Sequence, residues 1–195
     1  MKVIDISAWQ ENIDWEAVKN AGIEGVIIKL GEGTTLDEIF FEHVNNAVNY
    51  GLKYGVYYYA HASSIDEARR EAYTVDQWLK TYIRGENPAL GIWYDAEDNS
   101  MLTGGQNVVY PIANFIHIMR EIGYNYVGLY SSYNWLTNVI DLDPLPKDVP
   151  IWSAQYGYHE NSFKVENPDR TCKMWQYTDC EPIGDMKFDC NIYYE

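Results

Sequence analysis

Basic residues are scarce in this chain. Fourteen Lys and Arg stand against 29 Asp and Glu, a net charge of −15. No stretch gathers the positive charge that a nucleic-acid backbone demands, so nucleic acid is excluded as a partner. An anionic polymer would repel such a chain at low salt, and affinity for one has to come from a specific site rather than from bulk charge. Long apolar runs are lacking as well, and nothing approaches the ~20 consecutive apolar residues of a membrane span. Cysteine is limited to Cys172, Cys180 and Cys190, without the paired close spacings of a zinc ribbon or a redox Cys-x-x-Cys motif. Cys172 and Cys180 could bridge a hairpin, or all three could stay reduced and buried as small apolar side chains. The four histidines, His43, His61, His117 and His159, form no His-Glu-x-x-His motif. A Gly-x-Ser-x-Gly elbow, a Gly-x-Gly-x-x-Gly turn after the first strand and a Gly-Lys-Ser/Thr phosphate loop are also missing. Metalloprotease, serine-hydrolase and nucleotide-binding readings lose their support with them. Met1-Lys2-Val3-Ile4-Asp5 runs straight into a strand pattern with no secretory leader ahead of it, so the expectation is a leader already removed or another export route.

A chain of 195 residues matches one large domain, expected over 1–195. Residues 2–7, 25–30, 53–60, 90–95, 126–130 and 149–153 read as strands, most of them almost wholly apolar. Strands buried on both faces of a parallel sheet have that composition, whereas half-exposed strands alternate with polar residues. Between them, residues 37–50, 66–83 and 106–122 place apolar side chains at helical spacing, the last ahead of Gly123 at a C-cap position. Repeated βαβ units mean parallel strands with right-handed crossovers, either closed into a barrel or laid out as an open sheet. The missing phosphate-binding motifs favour the barrel. After about Asp141 the helix pattern fades. Residues 141–150, with three prolines, read as a surface loop, and 173–177 and 187–193 read as strands joined by a turn around Cys180-Glu181-Pro182-Ile183-Gly184.

The most informative run is Gly91-Ile92-Trp93-Tyr94-Asp95-Ala96-Glu97-Asp98, where an apolar strand ends in acidic residues. Residues two apart in a strand share a face with Cα atoms roughly 6.5 Å apart, so Asp95 and Glu97 can reach one side of a small ligand. The C-terminal end of a barrel strand is where this architecture carries its chemistry. Glycosidic cleavage needs one protonated acid for the leaving oxygen and one ionised group to support positive charge at the anomeric carbon. The same acids would also mark the start of a solvated loop, or offer hard oxygen ligands to a divalent cation. Asp5, in Val3-Ile4-Asp5-Ile6-Ser7, and Asp189, in Phe188-Asp189-Cys190-Asn191, are ionisable residues within apolar runs of the first and last strands, which neighbour each other in a barrel. Tyr57-Tyr58-Tyr59, Trp93-Tyr94, Tyr130, Trp152, Tyr156, Trp175 and Tyr177 recur at or near strand ends. Singly each is ordinary packing; their recurrence suits sugar rings, which stack on such faces.

Asp5-Ile6-Ser7-Ala8-Trp9-Gln10, Lys29-Leu30-Gly31-Glu32-Gly33-Thr34, Gly55-Val56-Tyr57-Tyr58-Tyr59-Ala60, Tyr94-Asp95-Ala96-Glu97, Ile151-Trp152-Ser153-Ala154-Gln155-Tyr156, Met174-Trp175-Gln176-Tyr177 and the closing Phe188-Asp189-Cys190-Asn191 follow one another in an order that resembles glycoside hydrolase family 25, the lysozyme (muramidase) family of bacterial and phage-endolysin type. The resemblance spans nearly the whole chain. It implies an α/β fold, an irregular TIM-like β/α barrel with helices missing in its C-terminal part. It also implies hydrolysis of the β-1,4 bond between N-acetylmuramic acid and N-acetylglucosamine in peptidoglycan glycan strands. By motif match Glu97 would be the general acid, Asp95 would support the transition state or orient the acetamido group, and Asp5 and Asp189 would complete the acidic mouth. Tyr57, Tyr59, Tyr130, Trp152, Gln155 and Trp175 would bind the sugar. The resemblance implies no metal and no cofactor, a monomer, and action on the cell wall outside the cytoplasm, secreted or phage-delivered. Two departures bear on subsite preference: Tyr58 stands where many members have His, and Leu30-Gly31-Glu32 where Ala-Thr-Glu is frequent. A chitinase-like N-acetylhexosaminidase and a catalytically silent sugar-binding module are the competing expectations. No wall-binding repeats are attached, as expected of a stand-alone hydrolase or of the catalytic portion of something longer.

Overall fold

The computed structural model describes residues 1–194. Nine strands are present: β1 (Lys2–Ile6), β2 (Gly25–Glu32), β3 (Thr35–Leu36), β4 (Lys53–Tyr59), β5 (Ile92–Asp95), β6 (Val127–Ser132), β7 (Ile151–Ala154), β8 (Cys172–Ile183) and β9 (Met186–Tyr193). Their order around the sheet is β1-β9-β8-β7-β6-β5-β4-β2, and a β1–β2 pairing closes it into an eight-stranded barrel, with the two-residue β3 appended to β2. The pairings from β1 through β8 are parallel, as the apolar runs imply. β9 is antiparallel to both β8 and β1, so the barrel is mixed. A hairpin needs only a two-residue turn, and no crossover helix has to precede the last strand.

The three long helices lie where the periodicity places them: α2 (Phe40–Asn49), α3 (Ile65–Ile83) and α4 (Val109–Ile122). Ser64 caps α3 by accepting from the Glu67 N–H, Arg84 closes it in the left-handed region, and Gly123 follows α4 at φ 120°. Three helices escape the periodicity: α1 (Trp15–Asn20), α5 (Tyr133–Asn138) and α6 (Ser162–Glu166). Each is under two turns, too short to display a 3.6-residue repeat. Their N-caps, Asp14, Ser132 and Asn161, each bond a first-turn N–H. Residues 99–104 form a 3-10 turn capped by Asp98.

Two corrections concern the C-terminal quarter. The turn between β8 and β9 falls on Gly184 and Asp185, and the segment from Cys180 to Ile183 continues β8. Cys172 and Cys180 therefore lie eight residues apart along one strand, roughly 25 Å at the strand rise, which rules out a disulfide between them. All three thiols are free, but only Cys172 and Cys190 are buried, Cys180 standing exposed on the solvent-facing end of β8; burial pushes the first two up, to about 11 and about 12.

Side-chain parity divides the apolar residues into two bodies. Ile4, Ile28, Val56, Tyr58, Tyr94, Leu129 and Ile151 face outward against the helices. Val3, Ile27, Trp93, Tyr130, Trp152 and Met174 fill the barrel interior. Trp93 occupies that space because β6 carries Gly128 beside it: a Cβ there would lie 2.6 Å from the indole ring. The interior is thus plugged by aromatic rings up to the C-terminal ends of the parallel strands, and the next inward-facing positions form the floor of a mouth.

Candidate active site

The residues one or two positions above that plug are acidic. Asp5 and Asp189 are direct cross-strand partners on β1 and β9, while Asp95 ends β5 and Glu97 follows it on the same parity. All four line one pocket of about 200 Å3, together with Tyr57, Tyr59, Tyr130 and Trp152. The pocket is open to solvent, and Glu97 stands beside the aromatic side chains.

Gln176 holds this arrangement together. Its Nε2 donates to both oxygens of Asp5, at 3.1 and 3.0 Å, and to Asp189 Oδ2 at 3.3 Å. Its Oε1 accepts from the hydroxyls of Tyr130 at 2.9 Å and Tyr156 at 2.7 Å. Asn191 supplies a second amide to Asp5 Oδ2 at 2.7 Å and accepts the Trp152 indole N–H at 2.8 Å. The Gln176 amide thus bridges the two carboxylates of the β1/β9 pair. Burial, reinforced by the neighbouring Asp189, holds Asp5 well above the ordinary carboxylate range. Burial likewise raises Asp189, with the charge of Asp179 adding to it.

The pair on the β5 end differs. Asp95 is 4% exposed, and its Oδ1 has no hydrogen-bond partner within the protein. Burial raises its pKa strongly, the charges of Glu97 and Asp5 raise it further, and Lys29 offsets part of this. Glu97 is raised by burial and then by Asp189 and Asp98. Asp98 itself turns away, accepting from the Ser100 N–H at 2.7 Å and the Tyr59 hydroxyl at 3.2 Å, and its pKa is lowered. All four carboxyls of the mouth are thus biased towards the protonated form, while Asp98, just outside the pocket lining, is biased towards the ionised one.

Two of the expected sugar-binding residues lie elsewhere. Trp175 falls on the outward parity of β8, between inward Met174 and Gln176, and its indole donates to the Gln155 carbonyl at 2.9 Å, so it does not reach the pocket. Gln155 is buried, accepts from the Ser162 N–H at 3.2 Å, and borders a groove beside the pocket rather than the pocket itself. Sequence reasoning also left several contributors without a role. Trp9, 89% exposed on the loop after β1, stands on the rim. Among the described residues Lys29 is the one cation lining the pocket, paired with Glu32 at 2.5 Å and 5.5 Å from the Tyr59 ring centroid. Gln176 and Asn191 form the amide scaffold. Their signal is parity: each shares the inward face with a flagged acid or aromatic two residues away or on the adjoining strand.

The pocket continues on both sides. Through Trp9 and Lys29 it joins a groove of about 450 Å3 above β1 and β2. Through Glu97 and Tyr130 it joins a groove of about 400 Å3 above β6 and β7, walled by Tyr133, Tyr156 and Tyr158. In an eight-stranded ring these positions are diametrically opposite, so the acids sit midway along a track that crosses the barrel mouth. A linear polymer fits such a track.

The family model described as Glycosyl hydrolases family 25 matches residues 4–186. The chain is 30% identical over 98% of its length to an autolytic lysozyme of Clostridium acetobutylicum, of which it spans 55%. Among solved structures it is similar to the modular autolysin LytC of Streptococcus pneumoniae in complex with a synthetic peptidoglycan ligand, with a TM-score of 0.83 and 25% identity over 99% of this chain and 46% of that one. It is also similar to the catalytic domain of an endolysin from a bacteriophage of Listeria monocytogenes, with a TM-score of 0.81 and 27% identity over 100% of this chain and 93% of that one.

Proposed function

The chain belongs to glycosyl hydrolases family 25, and from that premise we propose that it is a muramidase that cleaves the β-1,4 bond between N-acetylmuramic acid and N-acetylglucosamine, with Glu97 as the general acid and Asp95 assisting. The observation that carries this reading is the unpartnered, buried oxygen of Asp95 beside a carboxyl, Glu97, whose pKa is raised.

A proton on Glu97 goes to the glycosidic oxygen as the bond to the anomeric carbon breaks. The acetamido oxygen of the same sugar closes onto that carbon, giving a cyclic oxazolinium ion that water then opens. Asp95 offers its free oxygen to the acetamido N–H. Ionising Asp95 is costly in the empty pocket, and the N–H becomes a progressively stronger, positively charged donor as the ring closes. The interaction is therefore stronger in the transition state than with bound substrate, which is the condition for acceleration. Asp5 and Asp189, held by Gln176, add negative potential beneath the developing cation at pH values where they are ionised, and their raised pKa values set the acidic limb of activity. Tyr57, Tyr130 and Trp152 supply apolar faces for the sugar at the cut, Tyr59 and Trp9 for its neighbours. The site of action on this reading is the cell wall, outside the cytoplasm, which the similarity to proteins named as an autolysin and an endolysin supports.

The test is reducing-end release from purified peptidoglycan by the wild type and by Glu97→Gln, with mass spectrometry of the fragments. Products ending in reducing muramic acid, lost in the variant, are expected. Cleavage of chitin in preference to peptidoglycan would replace the reading with a chitinase-like one, and binding without cleavage by both proteins would replace it with a sugar-binding module.

A further inference from the structure

A second pocket, of about 510 Å3, lies outside the acidic mouth. It opens on the same face, above the ends of β2, β4 and β5, between the loops after those strands and the first turns of α3. Around the ring this lies a quarter-turn from both ends of the track described above. Only a thin wall divides it from the mouth. Tyr59 lines the mouth and His61 lines the pocket, their rings 5.2 Å apart, and both approach Asp98, the imidazole at 3.7 Å.

The chemistry of the pocket differs from that of the mouth. Its two carboxylates are already engaged: Glu71 accepts the His61 N–H at 2.9 Å and the Tyr94 hydroxyl, and Glu67 accepts the Ser63 N–H and hydroxyl at 2.8 and 2.9 Å. Arg70, exposed on α3, forms no ion pair among the described residues, although its charge reaches Glu67. The remaining polar groups include the hydroxyls of Thr74 and Thr103. One uncommitted guanidinium among hydroxyls and apolar walls suits a short peptide bearing carboxylates.

We infer that this off-axis pocket receives the peptide branch of the glycan, the short carboxylate-bearing peptide attached through the lactyl ether of the muramic residue. The assignment rests on the muramidase reading. A glycan laid along the track projects its muramic substituent sideways, and two or three extended residues reach roughly 7–10 Å, more than the 5.2 Å between the Tyr59 and His61 rings that divide the mouth from the pocket holding Arg70.

The test compares soluble glycan chains carrying their peptides with the same chains stripped of peptide enzymatically, using the wild type, Arg70→Ala and Thr103→Trp. Arg70 and Thr103 are exposed, and circular dichroism verifies that the variants fold. The wild type is expected to show kcat/KM about tenfold higher on peptide-bearing chains, the value of one charge-assisted contact. Each variant should lose that advantage, the first by removing the cation and the second by filling the space, while cleaving stripped chains at the wild-type rate. Equal cleavage of both chains by the wild type, or an unchanged ratio in both variants, overturns the pocket assignment and leaves the muramidase reading standing. Failure of the wild type on both chains defeats both readings, and cleavage of stripped chains alone overturns the pocket assignment.

Discussion

Gln176 points its amide nitrogen at both oxygens of Asp5, a contact between residues 171 positions apart in the chain. The two tyrosine hydroxyls on Oε1 fix the amide in that orientation, so the NH2 group always faces the carboxylates. Replacing Gln176 by Leu removes a bond that lowers the Asp5 pKa. The acidic limb of the activity profile should then move to higher pH, with kcat/KM reduced on the order of a hundredfold for the loss of two charge-assisted bonds. Rates of reducing-end release from pH 4 to 9 measure both effects.

Asp98 sits beside Glu97 as a carboxylate whose pKa is lowered, and its charge contributes to holding the Glu97 proton. In its proposed role as general acid Glu97 must be protonated, so activity is expected to be lost as pH rises through its pKa. Asp98→Asn keeps a side chain able to cap the 3-10 turn but removes the charge, and the alkaline limb should shift downward by less than about one pH unit. A shift in the other direction would contradict this account.

The carboxyls of Asp5, Asp95, Glu97 and Asp189 all have folded-state pKa values above those of an unfolded chain. The folded state therefore binds more protons than the unfolded state at intermediate pH. Stability contributed by these groups is complete below the ordinary carboxylate range near ~4 and is lost as pH rises through the raised values. Thermal melts should give a higher Tm at pH 5 than at pH 7. Asp95→Asn should raise Tm at pH 7 and flatten the pH dependence while abolishing most activity, the usual opposition between a strained site and a stable fold.

Trp9 lies on the rim with 89% of its surface exposed, so it contributes little to the core. Trp9→Ala should leave Tm unchanged and raise KM on glycan oligomers by roughly tenfold, with a smaller change in kcat, as expected for a stacking face away from the reacting atoms.

Much of the barrel is legible in the sequence because parallel strands buried on both faces are continuous apolar runs, and the long helices have enough turns to show their period. The short helices are not, since five or six residues carry no period; the closing hairpin is legible as two strands joined by a turn, although that turn falls on Gly184 and Asp185 rather than around Cys180. At the site, the acids stand out as charges inside apolar runs. Trp175 misleads because a Trp beside a motif looks the same whichever face it takes; parity counted from Gln176 resolves it. Lys29 and Trp9 lie in quoted motifs, yet their roles depend on which loops meet across the ring.

Gly128 is legible only in three dimensions, as the space for the Trp93 ring. Gly128→Ala forces that ring or the neighbouring backbone aside, and it should destabilise the protein by about 1–3 kcal/mol. Denaturant titration checks the value, and an unperturbed midpoint would mean the barrel interior is looser than its packing indicates.

The pairing of β1 with β9 joins strands from opposite ends of the described chain, and each brings one acid to the mouth. A ribosome delivers β9 after every other strand of the barrel. Until it emerges, β1 lacks a neighbour on one side, the ring stays open, and neither Asp189 nor the Asn191 support for Asp5 exists. Such a nascent chain has no finished acidic mouth, so the proposed catalytic centre comes together only once β9 has left the ribosome and paired with β1.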